Sequence, residues 1–294
     1  DTQSGNSLER GVLQFDQVEQ TFSFDVPQGT LIVLFEDFSS PVKVEREQSF
    51  QQLSDIVKYA SDPFARWDAM QSLWLQTIQS SELLKPFISV LESLLSDQEL
   101  PEDIKAELLA IPSFDALAEN YTVIDVEQIL DGLESVVAAA SHSLYQDITT
   151  ALTKLENIDS LYSGEFVAKR RLKQVLFTYI GKHDAAEVSD LIHKTYLSAD
   201  NMTEKMLSVD AARIHDVSLL KELLQKMDLE FSGNALVLDK ILSSVAQVGN
   251  DSVYKLMEEW TKHEGFSFKN PNRFRSLYGA FIMRNPKQFH HKNG

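Results

Sequence analysis

The segment Asn270–Leu277 holds the side chains best suited to recognising a ligand. Within it, Arg273 and Arg275 follow Asn272 and are two residues apart. Positions two apart are about 200° around a helix, so the two arginines face different sides. A planar guanidinium suits a carboxylate. That carboxylate belongs either to a neighbouring helix or to a ligand in a cavity, and the sequence leaves both interpretations open.

No other pattern in the chain is typical of a catalytic or metal site. None of the seven histidines belongs to an H-E-x-x-H motif. Cysteine is absent and there is no G-x-S-x-G elbow around a serine. We therefore predict no catalytic residue, no metal ligand and no bound cofactor in this chain. The histidines are His142, His183, His193, His215, His263, His290 and His291.

Charge and hydropathy exclude several classes of partner. Across 294 residues, 44 aspartates and glutamates outweigh 27 lysines and arginines, which leaves a net charge of −17. Such a surface repels phosphate backbones and anionic lipid, so we expect neither nucleic acid nor membrane as a partner. No apolar stretch is long enough to span a bilayer. The lack of cysteine fits a reducing compartment, and we predict a cytoplasmic location.

Residues 1–45 have the pattern of short β-strands. Four runs are either continuously apolar or alternate between apolar and polar residues. Four strands of this length rarely form a stable sheet alone, so we expect them to be part of a larger one. The predicted strands are Val12–Phe15, Thr21–Val26, Leu31–Phe35 and Val42–Val44.

Residues 46–294 have helical periodicity. Phe87–Leu95, Leu172–Ile180 and Phe274–Ile282 each contain an apolar stripe at helical spacing. About a dozen helices with short connections predict a mainly α fold, a solenoid-like array of helix pairs without a consensus repeat.

Several residues predict where helices begin and end. Asp125 with Gln128 is typical of a helix start, as is Asn270 before a proline. Gly181 follows an apolar stripe, as a C′ residue does. Asn285 before a second proline should end the last long helix.

Several stretches together resemble the C-terminal half of bacterial aminopeptidase N, in the zinc gluzincin aminopeptidase family, without the catalytic domain. The resemblance runs from about residue 12 to the end, and its most specific part is the block from Asn270 to Phe281. The matching stretches are Phe38–Lys43, Arg66–Ala69, Gln71–Leu73, Asn201–Thr203, Asn270–Leu277, Gly279–Phe281, Asn285–Pro286 and Phe289–His290.

The resemblance implies a domain order and a function. Residues 1–45 would be the last strands of an incomplete immunoglobulin-like β-domain. Residues 46–294 would be most of a helical superhelix, truncated at its end, in a chain cut from a longer protein. The parent protein would use zinc to remove N-terminal amino acids from peptides. Its zinc motif would lie outside this chain, which alone should be inactive.

The resemblance also implies partners and channel residues. The helical domain would cover the active-site cleft of its own catalytic domain and leave a cavity through which peptides pass. Arg275, Arg273 and Asn272 are then candidates for lining this substrate channel.

The sequence also allows two other functions and predicts self-association of the chain. The chain is alternatively an autonomous helical-repeat module that binds a protein or peptide. A carboxylate-based hydrolase is supported only by the number of acidic residues. Unpaired strand edges and an uncovered stripe at Phe274–Ile282 would favour self-association of the chain.

Overall fold

The computed structural model describes residues 9–27, 30–40, 42, 44, 46–155 and 163–291. Almost all of its regular structure is helical, and the chain divides into two compact units, Asp1–Val90 and Leu91–Gly294. The mainly α fold is therefore confirmed. The predicted domain boundary between residues 45 and 46 stays a prediction.

The first unit contains two packed helices, α1 (Phe50–Tyr59) and α2 (Pro63–Gln79). Short 3₁₀ turns occur at Glu36–Phe38 and Ser81–Leu83, and α3 covers Leu84–Ser96. Ser49 starts α1 with a reciprocal capping box, in which its Oγ accepts the Gln52 N–H and the Gln52 side chain accepts the Ser49 N–H.

The prediction of β-strands in residues 1–45 is wrong for the part of this region that the structure describes. None of its described residues belongs to a strand, and Val12 is 96% exposed. A strand must exchange hydrogen bonds with a neighbouring strand, and these four segments do not pair with one another. Their alternation is a β pattern without a partner, so the described residues contain no immunoglobulin-like strands. Lys43 lies outside the described residues.

The second unit is a run of helices joined by short connections. These are α4 (Glu102–Leu109), α5 (Phe114–Ala118), α6 (Val126–Ser143), α7 (Tyr145–Lys154), α8 (Gly164–Ile180), α9 (Glu187–Ser198), α10 (Met202–His215), α11 (Val217–Glu230), α12 (Ala235–Ala246), α13 (Ser252–Thr261), α14 (Pro271–Phe274), the π segment (Arg275–Gly279), α15 (Ala280–Arg284) and α16 (Pro286–Phe289).

From α9 to α13, contacts between helices follow chain order. Each helix from α9 to α12 packs on the next, and α9 also meets α11 while α10 meets α12. This is the neighbour pattern of a helical-repeat array, in which each layer buries the apolar stripe of the layer before it. The stripe predicted on α8 is buried at Leu172, Leu176 and Ile180. The predicted helical array is thereby confirmed.

Most predicted helix ends are confirmed. Asp125 accepts the N–H of Gln128 at the start of α6, and Asn285 follows the end of α15. Gly181 also directly follows the end of α8, with φ −60° and not the left-handed backbone that is common after helices. A Cβ at Gly181 would lie 2.9 Å from the carbonyl oxygen of Ala211. Glycine is needed there for the close approach of α10.

Candidate functional site

The candidate site is the helix start at Asn270 and the turns that follow it. The Asn270 side-chain oxygen accepts the backbone N–H groups of Asn272 and Arg273, at 3.0 and 3.4 Å. Pro271 occupies the first helical position, where a missing N–H costs nothing. This cap sets the direction in which the next residues project.

Arg273 is held inside the array. Its side chain is 7% exposed and forms an ion pair with Asp239 of α12. Its Nε donates to the carbonyl oxygen of Gly265 at 3.3 Å, and the hydroxyl of Ser276 donates to the same Asp239 at 3.0 Å. Asp239 therefore joins two side chains of this helix to α12. The guanidinium of Arg273 is already occupied by protein acceptors.

The loop at Gly265, which precedes the site, is also held by hydrogen bonds of His263. The backbone N–H of Gly265 donates to Nδ1 of His263 at 3.0 Å. A neutral ring that accepts at Nδ1 carries its proton on Nε2, and that atom lies 3.2 Å from the carboxylate of Asp228. Asp228 belongs to α11, so His263 and Arg273 tie the Gly265 turn to two successive helices.

Arg275 lies on the opposite side of the helix from Arg273. Arg275 and Asn272 are exposed, and within the described ranges the Arg275 side chain has neither a hydrogen bond nor an ion pair. The backbone from Arg275 to Gly279 is π-helical. Such single π turns are rare and are found disproportionately at functional sites. Of the three predicted channel residues, Arg275 and Asn272 are the two that face solvent.

Aromatic rings extend the surface beside Arg275. Phe274 and Tyr278 stack with their centroids 5.2 Å apart, and Phe268 lies 5.9 Å from Tyr278. Phe268 is 63% exposed, and Ile282 is also exposed. The helix thus presents a cation next to a partly uncovered aromatic face, an arrangement that suits a peptide with an apolar side chain and a carboxylate.

One histidine cluster has the composition of a metal site but not the geometry. Ligand atoms of His142, His183 and Asp184 lie within 4.8 Å of one another. Nδ1 of His183 accepts the N–H of Ala185, so in the neutral ring the lone pair of Nδ1 is already engaged and Nε2 carries the proton. The rings of His142 and His183 are also stacked, with an interplanar angle of 8° and centroids 5.6 Å apart, an arrangement that does not aim their nitrogens at one ion. The cluster does not fit zinc, and the absence of metal ligands stays a prediction.

Buried charges elsewhere in the array act as braces between helices. Lys173 of α8 pairs with Glu204 of α10 at 2.7 Å. Lys205 pairs with Glu230 of α11 at 3.0 Å and lies 4.6 Å from the ring centroid of Tyr196. Burial raises the pKa of Tyr196 to about 12. The two ion pairs connect neighbouring helices and do not point to chemistry.

Sequence reasoning found the two arginines but not the residues that decide their roles. Asp239 is one of 44 acidic residues, and nothing in its neighbourhood along the chain marks it as the partner of Arg273. The connection between His263 and Asp228 was missed for the same reason.

Among the described residues, no helix is long and apolar enough to cross a membrane.

Known proteins similar to this chain are aminopeptidases. Aminopeptidase N of Escherichia coli (strain K12) is 30% identical over 305 residues, covering 99% of this chain and 35% of that protein. Aminopeptidase N of Haemophilus influenzae is 27% identical over 303 residues, with the same two coverages of 99% and 35%. The chain thus spans about a third of the length of these relatives, and the resemblance to aminopeptidase N is confirmed.

A solved structure of another aminopeptidase has a similar fold. The crystal structure of Legionella pneumophila aminopeptidase A in complex with aspartic acid matches with a TM-score of 0.79 and 25% identity, over 88% of this chain and 32% of that one. A family model described as "Domain of unknown function (DUF3458_C) ARM repeats" matches residues 50–294. Since that match begins at the first residue of α1 and covers most of the chain, the protein belongs to this family of ARM-repeat domains.

Proposed function

We propose that this chain is a noncatalytic helical region of a zinc-dependent aminopeptidase. Similarity to aminopeptidase N over 99% of the chain carries the proposal. The sequence has no H-E-x-x-H motif, and the cluster of His142, His183 and Asp184 does not fit zinc. The metal, which would activate water for hydrolysis, is therefore held by another part of the protein.

In this proposal the helices cover the active-site cleft of their own catalytic domain and control which peptides enter. Arg275 and Asn272 line the channel, with Arg275 attracting the carboxylate of a peptide substrate. The exposure of Arg275 and its lack of a partner among the described side chains support this role. Arg273 serves the same segment differently, because its bonds to Asp239 and Gly265 hold the helix in position.

The isolated chain should self-associate through the last apolar stripe. Phe274, Ile282 and Met283 are each exposed over a large part of their surface, and in the whole aminopeptidase another segment would cover them. Size-exclusion chromatography with light scattering at high protein concentration should show dimers, and a clean monomer would contradict this part of the proposal.

We also propose that the protein acts in the cytoplasm.

Hydrolysis of an aminoacyl anilide tests the main proposal. The purified chain should give no turnover above buffer. The full-length protein of which this chain is proposed to be a part should cleave the anilide, and a chelator that removes its metal should abolish that activity. Turnover that follows the purified chain through several columns would overturn the proposal.

Sequencing the coding DNA before Asp1 separates the proposal from its alternative. An in-frame H-E-x-x-H motif a few hundred residues earlier supports the aminopeptidase. A start codon near Asp1 with no peptidase motif before it would instead make the chain an autonomous module that binds a protein or peptide.

A further inference from the structure

Helix α2 of the first unit carries apolar side chains on two opposite sides. Ala69 and Leu73 belong to its buried side. The opposite side is also apolar, because Phe64, Leu75 and Ile78 lie within about 60° of one another around the helix, and each keeps part of its surface in water. A surface helix normally turns a polar face to water, and a helix that is apolar all round is normally buried. The second apolar side therefore indicates a further surface that packs on α2.

Three aromatic rings form a continuous row on this outer side, which we call the Trp67 patch. The ring centroids of Phe38 and Phe64 are 5.0 Å apart in an edge-to-face arrangement, and those of Phe64 and Trp67 are 5.9 Å apart. Phe38 is 55% exposed and the other two residues are 37% exposed. Partly exposed aromatic side chains are enriched at the centres of protein–protein interfaces. The row has the composition of a contact surface.

The backbone that places Phe38 in this row is strained. Phe35, Asp37 and Phe38 have φ angles of 58°, 58° and 52°, in the left-handed region that residues other than glycine rarely adopt. The buried carboxylate of Asp62 accepts the N–H of Asp37 at 3.1 Å and that of Ala65 at 2.7 Å. The group that caps α2 thus also holds the strained turn. Strain of this kind is concentrated at functional positions, and here it fixes an exposed ring.

Asp68 gives the Trp67 patch a negative charge. It lies one helical turn after Phe64, on the same side of α2. Within the part of the chain that the structure describes, its carboxylate has neither a hydrogen bond nor an ion pair. Burial raises the pKa of Asp68, which shows that neighbouring groups already exclude some of its water. A partly desolvated carboxylate without a counter-ion favours a partner that supplies a cation.

The nearest arginine in the sequence does not supply this cation. Arg66 lies about 200° around the helix from Phe64, and its Nε donates to the carbonyl oxygen of Val57 on α1 at 2.7 Å. A metal ion is not indicated either, because among the described residues Asp68 belongs to no group of three potential ligands. A guanidinium fits the patch best, since it stacks on aromatic rings and pairs with a carboxylate.

We propose that the Trp67 patch docks an arginine-bearing surface of the rest of the full-length aminopeptidase, with the guanidinium paired with Asp68 beside the ring of Trp67. This inference rests on the proposed function and identifies the side of α2 through which the helices attach. The chain spans about a third of the length of its relatives, which leaves the larger part of such a protein to supply the surface. A second copy is disfavoured, because it would bring a net charge of −17 to an acidic patch.

Hydroxyl-radical footprinting read by mass spectrometry tests the docking. It compares the 294-residue chain with the full-length protein of which this chain is proposed to be a part. An interface core excludes water, so the oxidation rates of Trp67 and Phe38 should fall at least about fivefold in the full-length protein. Leu229, which is 79% exposed at the end of α11, is the control, and its rate should change less than about twofold.

The footprint and the peptidase assay separate this inference from the proposed function. Unchanged oxidation of Trp67 in a full-length protein that cleaves an aminoacyl anilide would overturn the docking and leave the proposed function intact. A full-length protein without that activity would overturn the proposed function whatever the footprint. Protection of Trp67 that appears when the isolated chain is concentrated would assign the patch to a second copy and would also overturn the docking.

Charge reversal at Asp68 tests the arginine. Asp68→Lys in the full-length protein should repel a guanidinium and return the oxidation rate of Trp67 to within about twofold of its rate in the isolated chain. Glu92→Lys, which reverses an exposed charge of α3, should leave Trp67 protected. Circular dichroism of the isolated chain should be the same for both variants, since both side chains are exposed. Equal protection of Trp67 in the two variants would exclude pairing of Asp68 with a cation.

Discussion

Glu134 of α6 and Lys287 of α16 form an ion pair at 2.9 Å although 153 residues separate them in the chain. Lys182, just after α8, binds the other oxygen of the same carboxylate at 2.9 Å. The hydrogen bond from Lys287, followed by that from Lys182, lowers the pKa of Glu134 to about 2. One carboxylate thus connects an early helix of the second unit with its last.

Glu134→Gln should lower the free energy of unfolding in a pH-dependent way. A carboxylate whose pKa is lower in the folded state stabilises the fold above its unfolded value of 4.5, and this contribution is lost as the pH falls towards 2. Because the side chain is 45% exposed, solvent screens both pairs and we expect a loss of only about 1 kcal/mol at pH 7.

Urea denaturation between pH 3 and 7 measures this difference. The gap between wild type and Glu134→Gln should shrink as the pH falls below 5. Glu119→Gln is the matched control, since Glu119 is exposed and its side chain makes no ion pair among the described residues. A gap of constant size across the whole range would contradict the assignment to this ion pair.

Arg273→Ala and Arg275→Ala should differ sharply in stability. Removing Arg273 leaves Asp239 largely buried without its counter-ion and frees the Gly265 carbonyl, so we expect a loss of about 3 kcal/mol. Removing the exposed Arg275 should change the free energy of unfolding by less than about 0.5 kcal/mol. Chemical denaturation of both variants checks the contrast, and similar losses would show that Arg275 has a structural partner.

Under the proposed function, Arg275→Ala should also change substrate binding in the full-length protein. Loss of one charge-assisted hydrogen bond should raise KM about tenfold for peptides with a free C-terminal carboxylate. KM for the same peptides with an amidated C-terminus should not change. Arg284→Ala, an exposed arginine of α15, serves as the control. An equal rise in KM for the amidated peptides would exclude carboxylate recognition by Arg275.

Gly181→Ala and Gly164→Ala should move stability in opposite directions. A Cβ at Gly181 would lie 2.9 Å from the backbone oxygen of Ala211, which cannot move without shifting α10. We expect a loss of about 1–3 kcal/mol. At Gly164 no atom lies within 4 Å of the added Cβ, and alanine in this helical turn should stabilise by about 0.4–1 kcal/mol through the unfolded state.

Thermal unfolding of these two glycine variants gives the sign directly. Gly164→Ala should have a higher Tm than wild type, and Gly181→Ala a lower one. A raised Tm for Gly181→Ala would mean that the contact between α8 and α10 is looser than the structure describes.

Local patterns were enough to predict the helices and most of their ends. The stripe from Leu172 to Ile180 and the caps at Asp125 and Asn270 depend on residues within four positions of one another, and helical hydrogen bonds have the same short range. The β pattern of residues 1–45 was misleading for the complementary reason. Alternation records which side chains could face a sheet, but a strand forms only where a partner strand is present.

The sequence by itself determined that Arg273 and Arg275 lie on different sides of one helix, because helical geometry settles this within two residues. Only the tertiary structure decided which arginine is buried, since Asp239 is 34 residues earlier and reaches Arg273 through the packing of α12. The ion pair of Glu134 with Lys287 is also invisible along the chain, because these residues meet only when α6 and α16 come together. Periodicity and caps are properties of neighbouring residues, whereas a site depends on distances that the folded packing alone sets.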